Sequence, residues 1–548
     1  MKLNRSVSAE VAATALAAFL ISAFNLPFWR QLYATVAPRD LYELAFIGVV
    51  ALLAFASLAW LFICLAVPYL FKPVMSLLLV TTAAALYFRV EYGTLLDADM
   101  VRNILETNRA EAAELMTGRL ILYVFLLGLL PAAVLWSSRI EYRPIWPGIL
   151  FKVRTTLVIA VAAILIALPF TQNLTSVFRQ HRELLYVLMP FNYLSAGAEI
   201  GRKSLRSAKA EPVPFGTDAR RIAARPSHNE RSLTVLVIGE TARAANFSLN
   251  GYARDTNPEL SKITGLINYS RVFSCGTATA QSLPCMFSGV GRAAFDQRQP
   301  GAQQGLLHLL QRAGFSVLWR ENQGGCAGVC KGIPTEFMEQ AGTRKLFEIG
   351  ESRDENLVAG LQEKFDAIPG HAVIVLHMLG SHGPAYHKRY PPAFGRFEPA
   401  CKESQFSRCT RAEIISAYDN TIVYTDFVLA KLIELLQAND RAGTPSSMIY
   451  VSDHGESLGE GNMYLHGLPY AIAPDVQKHV PMMVWLSPLL QAERHIDGGC
   501  LGRSRHEPLS HDHFFHSVLG LLDVGTSVYD RALDIFATCR GFGPRDDD

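Results

Sequence analysis

Asp453-His454-Gly455-Glu456-Ser457 sets a carboxylate and an imidazole side by side, directly after the apolar run Met448–Ser452. Such a pair at a strand end can grip one zinc ion, which takes carboxylate oxygen and imidazole nitrogen at about 2.0–2.2 Å. Glu240 follows a second apolar run, Leu233–Gly239, and would add a third ligand, leaving a fourth position for a reacting group. The same residues also suit a helix start, with Asp453 as cap and Glu456 closing an Asp-x-x-Glu box. The segment from Ser274 to Cys285 is rich in small hydroxyl residues. A hydroxyl at a helix N-terminus beside a metal can become an alkoxide nucleophile, with helix N–H groups facing phosphate oxygens. Spacing alone does not choose among Thr277, Thr279 and Ser282, and an ordinary Ser/Thr helix cap is the alternative. His377 and His382 flank a short loop, and His466 lies twelve residues past His454; together they suggest a second metal or phosphate site. His511, His513 and His516 cluster on a predicted helix and read as packing or surface.

These groups need a scaffold. Leu233–Gly239, Ser316–Trp319, Ala372–His377, Met448–Ser452 and Met482–Leu486 read as buried strands. Gln304–Ala313, Asn356–Ile368 and Arg411–Leu436 read as helices between them. The alternation predicts an α/β domain with a largely parallel sheet covered on both faces. Ligands of such sheets sit at the carboxyl ends of strands, which is where Glu240 and Asp453-His454 fall.

The first third of the chain has a different character. Half of the 548 residues are hydrophobic, only 18% are charged, and mean hydropathy is +0.18. A membrane span needs about 20 mostly apolar residues, and five stretches qualify: Val11–Phe28, Leu41–Val67, Pro73–Phe88, Leu120–Trp136 and Val153–Phe170. The third is short, but Lys72 and Arg89 can snorkel from its ends. The first could also be a cleaved signal peptide, yet four spans follow it and an uncleaved anchor fits better. Flanking Lys and Arg favour a cytoplasmic N-terminus by seven to six, and an odd number of spans then puts the C-terminal domain outside. Asn103, Thr107 and Glu111, in the outer loop, fall at i, i+4, i+8 on one helical face, which by itself suits a solvated amphipathic helix. The reading is thus residues 1–175 as a membrane domain, 176–231 as an interfacial helix and linker, and 232–548 as the α/β domain. With 51 basic and 49 acidic residues, net charge is +2 and gives no bulk field suited to nucleic acid.

Of nine cysteines, Cys64 sits in a predicted span and the other eight follow residue 274. Cys275/Cys285, Cys326/Cys330 and Cys401/Cys409 are close pairs, leaving Cys500 and Cys539 for a fourth. Disulfides need an oxidising compartment such as a periplasm; a structural zinc site is the competing reading, without a repeated Cys-x2-Cys to support it.

Gly239-Glu240-Thr241-Ala242-Arg243, Asn250-Gly251-Tyr252, Thr256-Asn257-Pro258, the Ser274–Cys285 segment, Gly380-Ser381-His382-Gly383-Pro384 and Ser452 to Glu460 together resemble the lipid A phosphoethanolamine transferases, a family that includes the mobile colistin-resistance enzymes. The resemblance covers essentially the whole chain. It implies five transmembrane helices ahead of an alkaline phosphatase/sulfatase-like catalytic domain in the periplasm, anchored in the bacterial inner membrane. It implies Thr279 as the nucleophile, with Glu240, Thr279, Asp453 and His454 as zinc ligands. His382 and His466 would hold phosphate or a second zinc, and Asn103, Thr107 and Glu111 would contact the donor's ethanolamine. The pairs 275/285 and 401/409 match family disulfides. The implied reaction moves phosphoethanolamine from phosphatidylethanolamine to a phosphate of lipid A, in a monomer, and confers polymyxin resistance. Two positions depart: Ala327 stands where many relatives have Lys, with Lys331 four residues on, and Gly324 where some have Ser. Rival readings are another acceptor sugar, phosphoglycerol transfer, or a lipid-binding regulator that lost its chemistry.

Overall fold

The computed structural model describes residues 6–106, 109–207, 213–222, 231–295, 303–338 and 353–541, with backbone alone at 99, 106, 109–111, 182 and 203–207. The chain forms two compact units. One comprises Met1–Val101 with Met116–Glu199, the other Arg102–Leu115 with Ile200–Asp548.

The first unit is helical. Among the described residues, four helices are long and apolar enough to span a membrane: Leu41–Leu65, Phe71–Tyr92, Gly118–Ser137 and Ile145–Gln180. A fifth crossing comes from Ala9–Ala23 and Leu26–Val36 if that pair, bent by 59°, spans as one. The first expected span is therefore not a straight rod. Asn25 sits at its bend, fully buried, and its amide donates to the carbonyls of Leu20 (3.0 Å) and Met189 (2.9 Å). That satisfies a polar group where water is absent. The third span is fuller than its apolar core suggested, with 22 residues from Phe71 to Tyr92. The fourth loosens into a π turn, Val124–Leu129, just ahead of Pro131, whose missing N–H interrupts the helical ladder. The most apolar stretch of Ile145–Gln180 has no residue buried within the protein, as a lipid-facing helix requires.

The second unit is built on an eight-stranded sheet. Its strands are β1 (Ser232–Gly239), β2 (Leu266–Phe273), β3 (Ser316–Glu321), β4 (Thr335–Phe337), β5 (His371–His377), β6 (Ser446–Ser452), β7 (His479–Leu486) and β8 (Leu509–Ser510). The spatial order is β8-β2-β7-β6-β1-β5-β3-β4. All eight residues of β1 are buried, as are all seven of β6, because helices cover both faces. β7 runs antiparallel to both its neighbours, the one reversal in an otherwise parallel sheet. β2 was missed in the sequence because its partly exposed pattern, with Asn268, Ser270 and Arg271, breaks the apolar run. The helix expected over Asn356–Ile368 is a 3-10 turn, Asp354–Leu357, and a short helix, Leu361–Asp366, split at Gly360. Arg411–Arg441 extends the expected helix and opens with a Thr410/Glu413 capping box.

Register carries the site. Gly239 pairs with Ser452 and Ile238 with His377, so Glu240 and Asp453 leave adjacent strands side by side at the carboxyl edge.

Candidate metal centre and nucleophile

Glu240, Asp453 and His454 are all 0% exposed, and one donor atom from each falls within 4.8 Å of the others. His454 Nε2 lies 3.5 Å from Glu240 Oε1 and 3.4 Å from Asp453 Oδ2. Its Nδ1 faces the Gly455 carbonyl at 2.9 Å, so that nitrogen donates and Nε2 is left to bind a cation. Asp453 Oδ1 accepts from the amides of His454 (2.7 Å) and Thr241 (3.2 Å), while Oδ2 is buried without a hydrogen-bond partner. No helix follows Asp453, so the capping-box alternative fails; Ser457–Leu458 instead pairs with Tyr464–Leu465. Ser452 staples the two strand exits, its hydroxyl accepting from the Ala242 amide (2.9 Å) and donating to the His454 carbonyl (3.0 Å). Gly455 is required by close approach, since a Cβ there would collide with the Val476 carbonyl.

The helix Thr279–Ser288 begins beside this cluster. Thr279 Oγ1 lies 3.1 Å from both oxygens of Glu240 and 3.3 Å from His454 Nε2. The other two hydroxyls of the segment are engaged elsewhere: Thr277 donates to the Leu468 carbonyl at 2.6 Å, and Ser282 to that of Asp453. Thr279 is half-buried at the first turn of its helix, where unpaired N–H groups favour an anion.

Electrostatics call for a cation. Burial, then the charge of Asp453, pushes Glu240 up to about 8. Burial opposes charge on His454, but Asp453 and Glu240 outweigh it and lift the imidazole to about 9. Two dry carboxylates, an imidazole nitrogen and a hydroxyl, with Asp453 Oδ2 lacking a hydrogen-bond partner, form a donor set that zinc fits.

His466 and His382 line the next position. Ring centroids are 4.4 Å apart for His454–His466 and 5.4 Å for His466–His382. Burial holds both outer imidazoles well below their ordinary range, hence neutral. The His382 loop is tightly fixed: Leu379 and Gly380 amides donate to Asp354 at 2.8 Å each, and Ser381 to the Glu240 carbonyl at 3.0 Å. Gly380 adopts φ +54°, where a Cβ would lie 2.6 Å from that carbonyl.

His377 has a different place from the one its spacing suggested. It sits beneath the site with Nδ1 2.9 Å from Glu321 Oε2, and that carboxylate also accepts from Trp319 Nε1 at 2.8 Å. His511 is buried rather than superficial: Nε2–H donates to the Ser452 carbonyl (2.9 Å) and Nδ1 accepts from the Cys275 amide (3.1 Å). Glu321 and the clamp role of His511 had no local sequence signal, since both depend on contacts between distant segments.

Sulfur pairs join Cys275–Cys285, Cys326–Cys330, Cys401–Cys409 and Cys500–Cys539, with Cys64 free. Ala327 takes left-handed backbone (φ +44°) between the second pair, and Lys331 is exposed. Asn103 lies on the helix Ala98–Glu106; Thr107 and the Glu111 side chain fall outside the described residues, so the expected shared face with Asn103 does too.

Two known families match successive parts of the chain. The family described as Phosphoethanolamine transferase EptA/EptB matches residues 53–205, and the Sulfatase family matches residues 232–524. Phosphoethanolamine transferase EptA of Escherichia coli (strain K12) is 39% identical over 530 residues, 96% of either chain. Phosphatidylethanolamine transferase Mcr-1 of Escherichia coli is 36% identical over 541 residues, 96% of this chain and 97% of that one. The solved structure of the integral membrane lipooligosaccharide phosphoethanolamine transferase A (EptA) from Neisseria meningitidis superposes with a TM-score of 0.92 at 35% identity, over 98% of this chain and 99% of that one. Since these matches run nearly end to end through spans and sheet alike, the chain belongs to the EptA family of phosphoethanolamine transferases.

Proposed function

We propose that this inner-membrane protein transfers phosphoethanolamine from phosphatidylethanolamine to a phosphate of lipid A, on the periplasmic face, through a covalent intermediate on Thr279. The observation that carries the reading is Thr279 Oγ1 at 3.1 Å from Glu240 and 3.3 Å from His454, at a helix N-terminus. Residues 1–175 would hold the enzyme in the bilayer, 176–231 would run along its surface, and 232–548 would carry the chemistry, in a monomer.

Glu240, Asp453, His454 and Thr279 would hold zinc, which when bound lowers the pKa of the Thr279 hydroxyl and neutralises phosphate charge. In the first step the Thr279 Oγ–phosphorus bond forms and the bond to diacylglycerol breaks; the hydroxyl's proton ends on the departing diacylglycerol oxygen. In the second, a lipid A phosphate oxygen bonds the phosphorus, the Oγ–phosphorus bond breaks, and Thr279 regains a proton given up by that phosphate. His382 and His466, neutral and adjacent, would orient the phosphoryl oxygens, and helix N–H groups would face them. Asn103, Thr107 and Glu111 would receive the ethanolamine, Glu111 by ion pairing. The product carries an added ammonium, which weakens binding of polymyxin and other cationic peptides.

Mass spectrometry of lipid A from cells making the wild type or Thr279→Ala tests this. The expected result is one or more added phosphoethanolamine groups with wild type and none with Thr279→Ala. Unmodified lipid A with wild type would overturn the acceptor; equal addition with Thr279→Ala would overturn the nucleophile.

A further inference from the structure

The short helix Arg109–Leu115 belongs to the compact unit that contains the catalytic sheet. There Glu114 meets Arg389. Arg389 Nη1 donates to Glu114 Oε1 at 3.1 Å and Nη2 to Oε2, a two-pronged grip. The side chains are 8% and 12% exposed, and Lys388 Nζ adds a second positive charge 3.9 Å from Glu114 Oε1. The remaining guanidinium nitrogen points the other way: Arg389 Nε donates to the His382 carbonyl at 2.7 Å. One planar group thus ties the outer-loop helix to the histidine loop. The histidine side of this joint is stiff, because Asp354 and the Glu240 carbonyl already hold residues 379–381. The helix side carries Glu111, three residues before Glu114.

An exposed pair would contribute little. This pair is largely buried and bidentate, so it also fixes geometry, which a lysine in place of Arg389 would not reproduce. We infer that Glu114 and Arg389 are positioning residues that set the span between Glu111, the part of the donor's ammonium end that lies on Arg109–Leu115, and the phosphate end, at His382 and His466. The inference rests on the donor reading above. A headgroup with ammonium and phosphate joined by a fixed two-carbon link needs both ends held at one separation.

The test uses the full-length, zinc-loaded protein in vesicles containing phosphatidylethanolamine and saturating lipid A, with diacylglycerol release as the readout. Glu114→Gln and Arg389→Gln are each expected to raise KM for the donor about tenfold while kcat changes less than about threefold. The double variant is expected to be no worse than either single, and Arg389→Lys to recover only part of the loss. Zinc content is expected to stay at the wild-type level in all. Should a single variant fail to fold because it strands a buried charge, the neutral double variant carries the same KM comparison. Unchanged KM in the folded variants, or single penalties that multiply in the double, overturns the inference. Wild type that releases no diacylglycerol overturns the donor reading itself and the inference with it, an outcome separate from any variant ratio.

Discussion

Glu456 places its Oε2 3.1 Å from His466 Nδ1 while its own side chain is wholly buried. The buried carboxyl therefore fixes which way the imidazole turns, engaging Nδ1 and leaving Nε2 for a ligand. Groups of this kind behind a functional histidine are worth about 10–100-fold in affinity or activity. Glu456→Gln is expected to lower the transfer rate in that range while zinc at Glu240, Asp453 and His454 is retained. Metal analysis beside activity measurement checks it; loss of zinc in parallel with activity would mean that Glu456 acts on the first site instead.

Zinc binding and stability are linked. Any ion that binds only the folded state raises stability by RT ln(1 + [L]/Kd), about 4 kcal/mol at a thousandfold excess over Kd. Chelation is expected to abolish transfer and lower Tm, and added zinc to restore both. In Asp453→Ala, which removes the unpartnered Oδ2, added zinc is expected to leave Tm within about one degree. A full zinc-dependent Tm rise in that variant would count against the ligand assignment.

His511 gives a pH dependence with a definite sign. Burial holds its imidazole down to about 4, against about 6.5 in an unfolded chain. The unfolded state therefore binds the proton first as pH falls. The stabilisation is complete above about pH 6.5 and is lost toward pH 4, by about 3 kcal/mol. Urea unfolding of wild type and His511→Asn across that window is expected to show a shallower fall in the variant. His382 and His466 have the same sign, so the difference between the two proteins isolates His511.

The Cys275–Cys285 bond closes a loop of ten residues around Thr279. Its removal as Cys275→Ser/Cys285→Ser is expected to cost about 3 kcal/mol by loop entropy. Activity at low temperature is expected to fall further than folding does, because Thr279 lies inside the loop. Undiminished turnover in the folded variant would separate the bond from positioning of Thr279.

Much of the site was legible because its residues cluster in sequence as well as in space. Asp453 and His454 are adjacent, Glu240 ends a wholly apolar run, and β1, β5 and β6 were visible as such runs. What stayed hidden depended on partners far along the chain. Glu321 becomes informative only when β3 pairs with β5 and sets it opposite His377. His511 lies 236 residues from the Cys275 amide that it accepts from, so its spacing to His513 and His516 said nothing of its place. β2 carries polar residues on its open side, and its short-range pattern therefore resembled a loop. The bend at Asn25 was masked by a continuous apolar composition, since hydropathy records solvent preference and not direction.

The catalytic unit is discontinuous: its main body starts at Ile200, yet Arg102–Leu115 is threaded into it from between two spans. Cutting the chain after residue 199 to obtain a water-soluble fragment would keep the sheet, Thr279, Glu240, Asp453 and His454. It would also amputate Glu114 and strip Arg389 of its counterion. Turnover by such a fragment would report the chemistry of an enzyme without this joint, and inhibitors ranked against it would be ranked without it.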